Sequence, residues 1–237
     1  MKRVGLIINP IAGMGGKVGL KGSDGKETLA LARKLGAIPE CAGKAVVALQ
    51  RMRECSEPFE ILAYPSVMGE NAAREAGFVP TVIGRIESEN TEPADTIRAA
   101  REMKEAGVDL LLFAGGDGTA RNIFDALREQ RVAVLGIPGG CKIHSAVYAI
   151  NPKTAGDLVV QYLEGKVSDL KVSEVMDIDE EAFREGRVTA RLYGYLYVPN
   201  EMRMVQNMKS GRGYSEEAAV EYLTSYIADT IEDDVLY

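Results

Sequence analysis

The sequence predicts an α/β fold, a doubly wound and mostly parallel sheet domain followed by a smaller β-rich part. Three observations carry this. DLLLFA (109–114) and VAVLGI (132–137) are continuous apolar runs of strand length, and strands apolar on both faces belong in a parallel sheet covered on both sides. Helical patterns lie between the strand patterns at the spacing of βαβ units. Glycine-rich loops follow three of the strand runs, where open α/β sheets bind ligands.

The elements follow in order. KRVGLII (2–8) is a short apolar run closed by Asn9-Pro10 and predicts a buried strand. A loop with glycines at 13, 15, 16, 19, 22 and 25 follows it. Leu29, Ala32 and Leu35 fall at helical spacing, as do Ala42, Ala45, Val46, Leu49 and Met52. FEILAY (59–64) and PTVIGR (80–85) are strand candidates, with a short helix after Gly69 between them. Residues 93–106 predict a helix, with Pro93 at its first position, Ile97, Ala100 and Met103 on one face, and Gly107 as its cap.

Ile123, Phe124 and Leu127 form the inner face of a helix that begins near Thr119. Ile143–Ile150 also has a helical pattern, and Asn151-Pro152 opens a helix that runs to Gly165. Beyond residue 166 the pattern changes. EVMDI (174–178) and RVTARLYGYLYV (187–198) follow closely. In the second, Val188, Ala190, Leu192, Leu196 and Val198 share one parity, while Tyr193, Tyr195 and Tyr197 share the other, as in an antiparallel sheet with one buried face. A boundary near 166 therefore separates an α/β domain (1–166) from a β-rich part (167–237). A last helix is expected over 215–231.

Composition narrows the function. The chain of 237 residues carries a net charge of −7, which argues against a sequence-independent nucleic-acid binder. No apolar run approaches the roughly 18 residues of a membrane span. The start of the chain lacks a signal-peptide pattern. Three cysteines without a CxxC pair point to free thiols in a reducing cytoplasm, not to disulfides or zinc.

The chemistry lies in the loops. LLLFAGGDGTARNIF (110–124) runs a buried strand straight into Gly115-Gly116-Asp117-Gly118-Thr119 and then a helix. The glycines allow close approach of a ligand, and a helix start offers unpaired N–H groups to a phosphate. Asp117 is out of place beside a phosphate unless it takes a proton or meets a cation, both of which are tasks in phosphoryl transfer. INPIAGMGGKVGLKG (8–22) matches neither the Walker A loop nor the dinucleotide fingerprint, because Ile11 and Val18 stand where those motifs need other residues. Asn9, Gly13, Lys17 and Lys21 remain candidates for contact with a nucleotide. In GIPGGCKIHSAVYA (136–149), Gly140, Lys142, His144 and Ser145 cluster before the next element, and His144 is the only histidine in the chain. Cys141 has no paired base beyond nearby His144, which argues against a nucleophilic thiol.

Together, NPIAG (9–13), GGDGT (115–119), GIPGGCKIHSAV (136–147) and DIDEEAFREGRVTARLYGYLYVP (177–199) resemble the NAD kinase superfamily, which also holds diacylglycerol and sphingosine kinases. Within it they are similar to the predicted polyphosphate- or ATP-dependent NAD kinase branch. The resemblance implies transfer of a phosphoryl group from ATP or polyphosphate to the 2′-hydroxyl of NAD. Asp117 would activate that hydroxyl. Gly116, Gly118 and Thr119 would hold phosphate, with Gly115 and Arg121 beside them, and Mg²⁺ would bridge the donor. It also implies homo-oligomers, for which 187–198 is a candidate interface strand. Ordinary NAD kinases and lipid kinases carry an Asn-Glu pair soon after GGDGT, whereas this chain has Ala120-Arg121-Asn122-Ile123. Members of the branch also continue past the position of Tyr237, so the second domain is expected to be truncated. Two other readings stay open: a lipid or other small-alcohol kinase, and a non-catalytic nucleotide-binding regulator.

Overall fold

The computed structural model describes residues 1–19, 26–88, 91–128, 130–140, 143–178 and 190–206. The chain forms β1 (Lys2–Ile8), α1 (Met14–Lys17), α2 (Lys26–Lys34), α3 (Cys41–Met52), β2 (Phe59–Ala63), α4 (Glu70–Glu75) and β3 (Thr81–Val82). It continues with α5 (Pro93–Glu105), β4 (Leu110–Gly115), α6 (Asp117–Leu127), β5 (Ala133–Pro138), α7 (Pro152–Leu163), β6 (Leu170–Ile178) and β7 (Ala190–Pro199). The expected helix at 215–231, the residues 179–189 ahead of β7, and Cys141 and Lys142 lie outside the described residues.

Seven strands form one sheet in the order β3-β2-β1-β4-β5-β7-β6. Every pairing is parallel except β6 with β7. All six residues of β4 are buried, as its unbroken apolar run predicts. Helices α3 and α7 pack together, as do α5 and α6, and the two pairs cover the sheet. From β1 the chain moves outward to β2 and β3. From β4 it moves the other way, to β5. The strand order therefore reverses between β1 and β4, and the carboxyl ends of those two strands border a crevice suited to a ligand. Beyond α7 the described chain is β-rich, and the antiparallel β6–β7 pair extends the same sheet through parallel pairing of β7 with β5.

Two expectations are corrected. Residues 143–150 are not helical. Tyr148 bridges Gly136 and Ala149 bridges Val205, so the segment runs partly as an extra strand. Ile143, Ala146, Val147, Tyr148 and Ala149 are all buried. An apolar run buried on every side carries no period that separates helix from strand. The alternation of β7 also breaks. The register passes from Val175↔Gly194 to Met176↔Leu192, leaving Tyr193 as the extra residue of a bulge. Tyr193 turns onto Phe124, edge to face with ring centroids 5.6 Å apart, and its hydroxyl donates to Asp125. Leu192 is left 49% exposed although its parity predicts burial.

The α3–α7 contact depends on Gly156, where a Cβ would collide with the backbone carbonyl of Ala48. Overpacking against a backbone atom typically costs about 1–3 kcal/mol. Gly156→Ala is expected to destabilise the fold by about that much, read as a lower midpoint in urea.

Candidate active site

Three loops meet where the strand order reverses. Asn9, directly after β1, donates its backbone N–H to the Ala114 carbonyl (2.9 Å) and its Nδ2 to the Thr119 hydroxyl (3.0 Å). The first loop is thereby tied to both ends of the GGDGT segment. Gly139, after β5, donates to the Gly115 carbonyl at 2.7 Å. Gly13 adopts φ +80°, and a Cβ on it would strike the Gly139 carbonyl. Only glycine meets both conditions, because it tolerates positive φ and leaves room for close backbone approach.

Helix α6 begins at Asp117 with Gly116 as its N-cap, and no side chain caps it. By contrast α5 is closed by a capping box, in which Glu92 accepts from the Asp95 backbone and Asp95 accepts from the Glu92 N–H at 2.8 Å. The open start of α6 borders a crevice lined by Asn9, Thr96, Gly118, Arg121 and Asn122, with Thr91–Pro93 on its far wall. Thr96, Thr119 and Asn122 are buried polar residues at this site. Uncapped N–H groups, hydroxyls and a guanidinium suit a phosphate chain. Arg121 also sits 5.9 Å from the ring centroid of Tyr193.

Asp117 is 9% exposed and accepts on both carboxylate oxygens. Oδ1 takes the Ser145 N–H at 2.9 Å and the Ser145 hydroxyl at 2.6 Å. Oδ2 takes the His144 N–H at 2.9 Å and faces His144 Nδ1 at 3.0 Å. Hydrogen bonds to an ionised acceptor contribute about 1.5–3 kcal/mol each. Ser145 Oγ in turn accepts from the Met176 N–H at 2.9 Å, and Ala146 donates to the Glu174 carbonyl at 2.8 Å. The loop bearing His144 is therefore clamped between the start of α6 and strand β6.

Tyr148 is fully buried and donates its hydroxyl to the Gly116 carbonyl at 2.6 Å. Burial first, and then the negative charge of Asp117, push its phenol well above the ordinary value, so it remains a donor. Cys41 packs beneath Gly139 and donates weakly to the Ala12 carbonyl at 3.6 Å. Burial pushes its thiol up to about 12, which makes it an inert packing residue.

Of the residues nominated by sequence, the structure brings Asn9, Gly13, Gly115, Gly116, Asp117, Gly118, Thr119, Arg121, Gly140, His144 and Ser145 to one end of the sheet. Lys17 lies in α1, and its side chain is outside the described residues, as is all of Lys142. Four contributors were missed: Thr96, Asn122, Tyr148 and the α5 start. Thr96 had a sequence signal, because it shares the inner face of α5 with Ala99, Ala100 and Met103. Tyr148 had none, since the run around it predicted the wrong element.

Residues 4–167 match the family model described as the ATP-NAD kinase N-terminal domain. No curated protein matches the chain. Six solved chains match. One is a "putative diacylglycerol kinase" from Bacillus anthracis str. Sterne, 17% identical over 97% of this chain and 80% of that chain, with a TM-score of 0.36. That likeness is too loose to bear on fold or function.

Tyr148→Phe would remove one of the donors to the Gly116 carbonyl, which also accepts from the Thr119 and Ala120 N–H groups. A loss of about 0.5–1.5 kcal/mol in unfolding free energy is expected, read as a lower midpoint in urea.

Proposed function

The chain belongs to the ATP-NAD kinase family, and we propose that it moves a phosphoryl group from ATP or polyphosphate to the 2′-hydroxyl of NAD. The observation that carries this is a buried carboxylate, Asp117, at the uncapped start of α6, where β1 and β4 diverge. An uncapped helix start beside Asn9, Thr119 and Arg121 suits the donor phosphates. A carboxylate held in the same turn suits proton management at the acceptor hydroxyl. In phosphoryl transfer such positioning and charge stabilisation supply most of the catalysis.

Magnesium enters this proposal as a companion of the donor phosphates. The described residues do not build a site for it: no group of three His, Cys, Asp or Glu side chains could hold an ion, and both oxygens of Asp117 already accept from the 144–145 loop. Among the described residues no helix is long and apolar enough to cross a membrane. A cytoplasmic enzyme, supplied there with both nucleotides, belongs to the same proposal.

The test is purified protein with NAD and Mg²⁺, given ATP in one arm and polyphosphate in the other, with NADP read by an NADP-specific dehydrogenase. NADP is expected in one arm at least, and the active arm names the donor. Asp117→Ala should lower turnover by about 10²-fold or more. Unchanged turnover in that variant would remove Asp117 from the mechanism. Phosphorylation of a lipid in vesicles, with none of NAD, would move the acceptor to another alcohol. Tight nucleotide binding with no turnover of any acceptor would make the chain a regulator.

A further inference from the structure

The crevice between the first turns of α5 and α6 holds two polar side chains with no partner of their own. Thr96 on α5 is 3% exposed and Asn122 on α6 is 7% exposed. Both line the crevice. Among the described residues neither the hydroxyl nor the carboxamide has a hydrogen-bond partner, and neither is sealed from solvent. Their polar ends therefore open onto the crevice itself. Buried polar groups are nearly always paired. Two unpaired ones that border a single space mark a place for the hydrogen-bonding groups of a ligand.

Their position says which part of a ligand they meet. Gly118 and Asn122 stand at i and i+4 of α6, so they share one face and lie roughly 5–6 Å apart along the axis. A phosphate at the open start of α6 would have its next linked group near Asn122. That region is poor in positive charge. Among the described residues lining the crevice Arg121 is the one cation, and Glu92 stands on the far wall. A further phosphate there would meet an anion and uncharged dipoles. A pair of sugar hydroxyls meets matching partners, since a carboxamide and a hydroxyl can each both donate and accept. The enclosed space is about 30 Å³, enough for a water-sized group or two and too little for a purine ring.

We propose that Thr96 and Asn122 bind the sugar hydroxyls of the phosphoryl donor and so select a nucleoside triphosphate over inorganic polyphosphate. The proposal rests on the phosphotransferase reading above and deepens it by naming the donor class. Polyphosphate has only charged units to offer and would leave both side chains unpaired. A site built to hydrogen-bond a hydroxyl discriminates against a ligand that lacks one for that reason.

The test compares ADP with pyrophosphate, which carry the same two phosphates and differ by the nucleoside. Calorimetry on the full chain with Mg²⁺ is expected to show ADP bound about 10-fold tighter or more. Asn122→Ala should weaken ADP by about 3- to 10-fold, the worth of one or two neutral hydrogen bonds, and leave pyrophosphate unchanged. Thr96→Val, which matches the parent side chain in shape, should do the same. Thermal unfolding near that of the parent in both variants separates a lost contact from a lost fold. One comparison needs no variant: 2′,3′-dideoxy-ADP should bind the parent no better than ADP binds Asn122→Ala.

Four results would overturn the proposal: ADP bound no tighter than pyrophosphate, pyrophosphate weakened in the variants as much as ADP, dideoxy-ADP bound as well as ADP, or NAD weakened in the variants in place of ADP. NADP formed from polyphosphate and not from ATP would overturn it as well. If the parent makes no NADP from either donor while the ADP pattern holds, the choice of NAD as acceptor fails and the sugar site stands.

Discussion

The site depends on one buried carboxylate. Asp117 lies at the first position of α6, and its oxygens gather the backbone of His144 and Ser145, the Ser145 hydroxyl and the His144 ring. Without these acceptors the N–H groups of 144 and 145 would lose their partners, at about 1–3 kcal/mol for each buried donor left unpaired. The same carboxylate therefore opens α6 and holds the loop across from it. Ser145 extends the chain of contacts to Met176, and Ala146 extends it to Glu174. Strand β6, far along the sheet from β1, thus helps to set the geometry of the glycine turn.

Backbone proximity is the second constraint. The loops after β1, β4 and β5 touch through Gly13, Gly115 and Gly139, with the Gly139 N–H on the Gly115 carbonyl at 2.7 Å. Side chains there would hold the loops apart and pull Asn9 off Thr119. Tyr148 fills the space behind the turn, packing edge-on against Phe113 at 5.3 Å while its hydroxyl holds the Gly116 carbonyl. The glycine turn is therefore held from three directions, which keeps the start of α6 pointed into the crevice.

Charge explains how an acidic chain would hold a polyanion. With a net charge of −7 the molecule as a whole repels phosphate. The crevice would offset this locally with the uncapped start of α6, the Thr96 hydroxyl and Arg121. The acidic residues at the start of α5 are turned to its own capping, where Asp95 also pairs with Arg98 at 2.5 Å. The one carboxylate in the glycine turn has both oxygens occupied as acceptors by the 144–145 loop.

The sequence by itself determined the elements with a strong local cause. The apolar runs of β4 and β5, the Pro93 and Asn151-Pro152 helix starts, and GGDGT between strand and helix were all legible, because burial on both faces, caps and glycine turns act within a few residues. Matching NPIAG, GGDGT and GIPGGCKIHSAV to one family was legible for the same reason. Tertiary structure alone decided the strand order that parts β1 from β4, the extended course of 143–150, the bulge that sends Tyr193 inward and Leu192 outward, and the meeting of His144 with Asp117, 27 residues apart. Each of these turns on which distant groups compete for a partner. The N–H groups of 144 and 145 pair with a carboxylate instead of a helix, and the Tyr193 ring finds Phe124 on α6. Such competition has no period and leaves no mark in local sequence.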